Sequence, residues 1–258
     1  MISFGCLFGI IVSQGLLPLE GGVLSPEGPE KSSVVKSDRS RRPWQIAFYG
    51  GRSLTQPSQI TLHMPGQNTF LRFEGVRYSD RSFEMPIYYG IRVNYFLPRD
   101  PSLVLGVEVL HNKVYAQTDR NVRAIGIENG VPVDRNQRLS DTIQKFDISH
   151  GVNYLTFNAM YRSPGWRRGS FTPYVGVGLG VMLLHPENRV GGQAREQWEW
   201  DGFGWQVFLG GEYEVTDTWS LFFEYKYTDA SVTVKVVDGW ADTRLRTHHF
   251  AFGSAYRL

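Results

Sequence analysis

Thr172–Leu184 reads TPYVGVGLGVMLL, and this stretch restricts the fold more than any other. At period two, Val175, Val177, Leu179, Val181 and Leu183 share one face, and Tyr174, Gly176, Gly178, Gly180 and Met182 share the other. A half-buried soluble strand sets its apolar face against a polar one. Here the opposite face is almost free of side chains, which suits the crowded interior of a small barrel with lipid outside. The segment also exceeds the five or six residues usual for a soluble strand.

The same alternation recurs along the chain. Strands are expected over Pro43–Leu54, Pro86–Leu97, Ser102–Gln117, Gly151–Arg162, Thr172–Leu184, Phe203–Val215, Trp219–Tyr227 and Thr247–Leu258. Their connections run long, short, long, short, long, short, long. That sorting predicts an all-β fold: an eight-stranded antiparallel up-and-down transmembrane β-barrel with four long extracellular loops and three short periplasmic turns. Strands of about ten residues cross the hydrocarbon layer when tilted. Every backbone group in lipid needs a partner, so the sheet has to close.

Three domains of unequal character follow. Residues 1–20 (MISFGCLFGIIVSQGLLPLE) form an apolar leader of export-signal type, although no Lys or Arg precedes its core. Residues 21–42, rich in Ser, Pro, Gly and charge, read as a disordered linker, and 43–258 as the barrel. The single cysteine, Cys6, lies in the leader, so no disulfide or thiolate metal site is expected in the folded part. A net charge of +2 gives no reason to expect nucleic acid. The localisation that follows is the outer membrane of a Gram-negative bacterium, with membrane lipid as the surroundings and a monomer as the assembly.

Eight strands enclose an interior that side chains fill, so a wide pore is excluded. Arg92, Glu108, Glu212, Glu224 and Lys226 face inward and should pair there, since buried charge is otherwise costly. Threaded on this topology, His111, His150, His185, His248 and His249 fall at the extracellular rim, with His63 in the first external connection. Histidine is both a general acid/base and a metal ligand, so the five rim histidines are candidate metal ligands. Glu84, Lys113, Glu187, Lys226 and Asp229 are expected at similar height. No dinucleotide fingerprint, nucleophile elbow or P-loop is present.

The segments FYGG (Phe48–Gly51), SFEMPIYYGIRVNYF (Ser82–Phe96), GVEVLHNKVYA (Gly106–Ala116), HGVNYLTFNAMYR (His150–Arg162), TPYVGVGLGV (Thr172–Val181) and WSLFFEYKY (Trp219–Tyr227) resemble the outer-membrane lipid A oxidase family. The resemblance implies oxygen-dependent oxidation of the proximal glucosamine of lipid A to 2-aminogluconate at the outer leaflet, with lipopolysaccharide as partner. Within or beside the matching segments, His111, Lys113, Glu84, Glu224 and His185 are the candidate catalytic residues. Ordinary side chains carry no redox agent. With no flavin or nicotinamide motif, a divalent transition metal held by histidine and carboxylate is the expected cofactor. A non-catalytic barrel serving as envelope anchor, adhesin or surface-binding protein is the alternative. A soluble lipocalin-like binder accounts less well for the sorted connections and the outward aromatics.

Overall fold

The computed structural model describes residues 42–258; the expected leader and most of the linker lie outside them. In chain order the strands are β1 (Trp44–Thr55), β2 (Ser58–Met64), β3 (Thr69–Val76), β4 (Tyr78–Ser79), β5 (Tyr89–Phe96), β6 (Leu103–Ala116), β7 (Asn121–Glu128) and β8 (Val131–Arg138). They continue as β9 (Ile143–Arg162), β10 (Phe171–Leu184), β11 (Glu187–Val190), β12 (Gln193–Glu196), β13 (Glu199–Glu214), β14 (Trp219–Val236) and β15 (Gly239–Arg257). Eight of them, β1, β5, β6, β9, β10, β13, β14 and β15, are hydrogen-bonded in that order. The ring closes where β15 pairs back onto β1, from Gln45 opposite Arg257 to Thr55 opposite Thr247. Every pair in the ring is antiparallel, so the expected eight-stranded barrel is the fold.

Apolar side chains cover the outside of the ring. Val175, Val177, Leu179 and Val181 of β10 are exposed, as are Leu105, Val107 and Val109 of β6 and Phe250 and Phe252 of β15. Near the short turns, Trp44 meets Tyr95 at 4.7 Å and Trp219 meets Tyr256 at 5.0 Å between ring centroids. Amphipathic rings collect at such a membrane boundary.

Inside this belt the barrel is filled by polar side chains. Glu108, fully buried, accepts hydrogen bonds from Lys226 Nζ (2.5 Å), Tyr49 Oη (2.5 Å), Gln206 Nε2 (2.7 Å) and Asn158 Nδ2 (3.1 Å). Arg92 Nη2 and Tyr174 Oη donate to Glu224 at 2.9 and 3.0 Å. One level nearer the turns, Arg162 pairs with Glu212. Room for these groups comes from the glycine face of β10: a Cβ on Gly176 would stand 2.2 Å from the Phe208 ring. The lumen is a packed ion-pair core and offers no channel.

The long connections depart from the expectation of loops. β15 pairs above the belt with β2, and β2, β3, β7 and β8 follow in order as an extension of the same sheet. The segment near Asp229–Leu245, expected as a fourth loop, is a continuous β14–β15 hairpin closed at Val237–Asp238, with Asp238 in the left-handed region at φ 61°. Ile60, Leu71, Phe73, Phe146, Val234 and Leu245 join one buried apolar cluster inside this upper part. Its strands alternate as the lower ones do, but with the apolar residues pointing inward. Their charged outer faces make the segments read as polar stretches.

Candidate functional site

On the outer wall of β9 and β10, just above the apolar belt, irregular pairing gathers a group of ligand-type side chains. The β6–β9 register is regular up to Asn112 opposite Val152, and then resumes with Val114 opposite Ile148. Three β9 residues, Ser149, His150 and Gly151, therefore face only Lys113, and the bulge turns His150 to the outside with 54% of its side chain exposed. Gly151 sits at φ +118°, and a Cβ there would lie 2.4 Å from His111 Nδ1. Only glycine fits both the backbone and the neighbour.

His185 follows the end of β10, where its backbone N–H donates to the Gly151 carbonyl at 3.3 Å. The chain then makes the β11–β12 hairpin through Gly191–Gly192, and β11 docks on the upper part of β9. Glu187 and Glu196 come directly opposite each other across that hairpin. The four side chains His150, His185, Glu187 and Glu196 each offer one ligand atom, and these atoms all lie within 4.8 Å of one another. His150 Nδ1 is 3.1 Å from Glu187 Oε1, and His185 Nε2 is 3.6 Å from Glu196 Oε1. The imidazoles meet edge to face at 4.6 Å, and Trp198 lies 4.4 Å from the His185 ring. Burial pushes the Glu187 carboxyl up, but hydrogen bonds from Lys145 and Ser149 outweigh it and hold the group below its ordinary value. Trp198 and Trp200 are exposed beside the group, as befits the membrane–water boundary.

The other expected site residues divide among three places. His111 lies on the same wall one strand over, stacked on Tyr89 at 5.0 Å, with its Nδ1 2.7 Å from Asn153 Oδ1. Lys113 and Glu84 do meet, but through the Glu84 backbone: Lys113 Nζ donates to that carbonyl oxygen at 2.8 Å. Glu224 is not at the rim. It is a fully buried member of the lumen network, because its β14 position points inward at the level of Gly210. His249 is also internal, 2.9 Å from Thr228 Oγ1. His248 lies outside on β15, four strands from β9 around the ring, beside Tyr225 and Gln56. Of the five rim histidines, the structure gathers His150 and His185 into a ligand-sized group. Glu196 was not expected. The readable signal was the pattern ENRVGGQARE, a hairpin about Gly-Gly that sets the two glutamates opposite each other.

The family described as "Outer membrane protein beta-barrel domain" matches residues 87–257, from just before β5 to the end of β15. The chain belongs to that family. As a member of the outer-membrane β-barrel family, it is placed in the outer membrane of a Gram-negative bacterium. Solved structures with a similar ring include Neisserial surface protein A, 13% identical over 83% of this chain and 97% of that one, with a TM-score of 0.42. The outer membrane protein AlkL is 15% identical over 91% and 97%, at 0.45. The outer membrane protein OprG from Pseudomonas aeruginosa is 13% identical over 84% and 97%, at 0.43. No curated protein matches the chain.

Proposed function

We propose that this outer-membrane barrel acts on lipid A in the outer leaflet, oxidising its proximal glucosamine to 2-aminogluconate. The observation that carries the reading is the place of the polar group. His150, His185, Glu187 and Glu196 sit on the outer wall immediately above the apolar belt, where the sugars of a lipid in that leaflet would stand. The packed lumen offers no comparable access. The resemblance of the segments around His111, His150 and Thr172 to lipid A oxidases supports the same reaction.

Raising the anomeric CH–OH to a lactone releases two electrons and two protons, which molecular oxygen takes up as hydrogen peroxide. Water then opens the lactone to the gluconate. The side chains contribute binding and proton handling. Trp198 offers a flat apolar face to a sugar ring, and His111, which borders the group from β6, is the imidazole that would take up a departing proton. A bound transition metal would supply the electron transfer that side chains lack.

Mass spectrometry of lipid A from aerated cells with and without the gene tests the reaction. The 2-aminogluconate form should appear only with the gene and vanish with His185→Ala, while the folded barrel persists. Unchanged lipid A in the presence of the gene removes the oxidase reading.

One observation favours the non-catalytic alternative. Above the belt, His63 stacks on Trp240 at 4.9 Å and meets Phe70 at 4.8 Å, with Phe70 and Trp240 exposed. Such a row suits a surface-binding barrel, and the lipid A assay separates the two readings.

A further inference from the structure

We infer that His150, His185, Glu187 and Glu196 form a binding site for one first-row divalent transition-metal ion. The inference concerns the group that the proposed oxidation leaves open, and it stands without the choice of substrate. Ligand nitrogens and oxygens lie about 2.0–2.2 Å from such an ion, so two donors on one ion are at most about 4.4 Å apart. The four atoms already fall within 4.8 Å, and small side-chain rotations close the shell.

Two further features point to a cation. Glu187 and Glu196 are directly opposed on β11 and β12, a like-charge pairing that costs energy unless positive charge offsets it. Lys145 engages Glu187 from one side, and a dication between the carboxylates would satisfy both. The second feature is His185, which is 8% exposed, with its Nδ1 buried and hydrogen-bonded to none of the described residues. Nε2, the nitrogen that faces Glu196 Oε1 at 3.6 Å, is the one an ion would take, and no hydrogen bond from the described residues at Nδ1 holds the ring in another tautomer. A metal on one nitrogen of an imidazole also fixes which atom carries the proton.

The donor set selects the class of ion. Two imidazoles disfavour calcium and magnesium, which take oxygen ligands. The lack of thiolate among the described residues disfavours ions that prefer sulfur. Two imidazoles and two carboxylates suit iron(II), manganese, cobalt or zinc. The scaffold is built for it as well: the β9 bulge turns His150 outward, Gly151 admits His111 alongside, and the Gly-Gly hairpin presents both glutamates.

The test uses the full chain, folded in detergent, stripped of metal and titrated with cobalt(II) alone. The expected result is one equivalent bound per chain, with visible ligand-field absorption. The double variant His150→Ala/His185→Ala should lose both signals, and heat-modifiable gel migration reports whether its barrel is folded. Glu196→Gln alters an exposed group outside the barrel ring, so it keeps the test decisive if the double variant fails to fold; it should weaken binding at least tenfold. His248→Ala, on β15 four strands from β9, should bind as the unaltered chain does. Absence of stoichiometric binding, or binding unchanged in Glu196→Gln or in the folded double variant, overturns the inference. These readouts contain no lipid A, so loss of the metal site and loss of the oxidase reading are separate outcomes.

Discussion

The membrane-crossing ring and the extension above it share continuous strands, yet their insides and outsides are exchanged. In the ring, β10 shows Val175, Val177 and Leu179 to the exterior and Glu108, Arg92 and Lys226 fill the lumen. In the extension, Ile60, Leu71 and Phe73 are buried, while Arg72, Arg123 and Asp134 face outward. Both parts obey the same period of two. What differs is the medium outside: hydrocarbon takes apolar side chains below, and water takes polar ones above. The His150–His185 group sits where one regime gives way to the other, and the β9 bulge marks that level.

The largest effect is expected in the lumen. Glu108→Ala leaves Lys226 and Arg92 buried beside a lost carboxylate, at about 3–5 kcal/mol. Urea unfolding of the folded barrel in detergent measures it, and a change below 1 kcal/mol would mean that the lumen is hydrated rather than packed. Leu71→Ala opens a cavity in the apolar upper core and should cost about 3 kcal/mol. Proteolysis is the sharper probe there. The extension should become cleavable while the ring remains protected, and equal loss in both parts would show that they unfold together. The smallest effect comes from one substitution made on both exteriors. Val177 and Val131 are similarly exposed, 57% and 61%. Val177→Arg on the lipid face should cost about 2–3 kcal/mol. Val131→Arg on β8 should stay within about 0.5 kcal/mol, because water already surrounds it. Equal costs at the two valines would refute the exchange of media.

The ring was readable because its signal is dense. Outward residues from Ile87 to Leu97 and from Val175 to Leu183 are apolar without interruption, and lipid tolerates few exceptions. The extension was obscured by the same alternation with charge on its outer face. LRFEGVR carries Leu71 and Phe73 inward and Arg72 and Glu74 outward, and reads as a polar connection when no partner strand is known. For the candidate site, parity put His111 and His185 outside at the upper rim but could not foresee the register shift that turns out His150. Parity placed Glu224 correctly. Its segment resembles the oxidase family, but its parity already assigned it to the lumen, and there the structure puts it.

The sequence alone settled the medium around the chain, the strand number and which residues line the barrel, because a periodicity of two needs only local order and one boundary condition. Tertiary structure decided what depends on register between distant strands: the strands within the long connections, the apolar core above the membrane, and the meeting of His150, His185, Glu187 and Glu196. Those four come from β9, the end of β10, and a hairpin that docks on β9. A bulge of two extra residues sets their distances, and no spacing within a single segment encodes it.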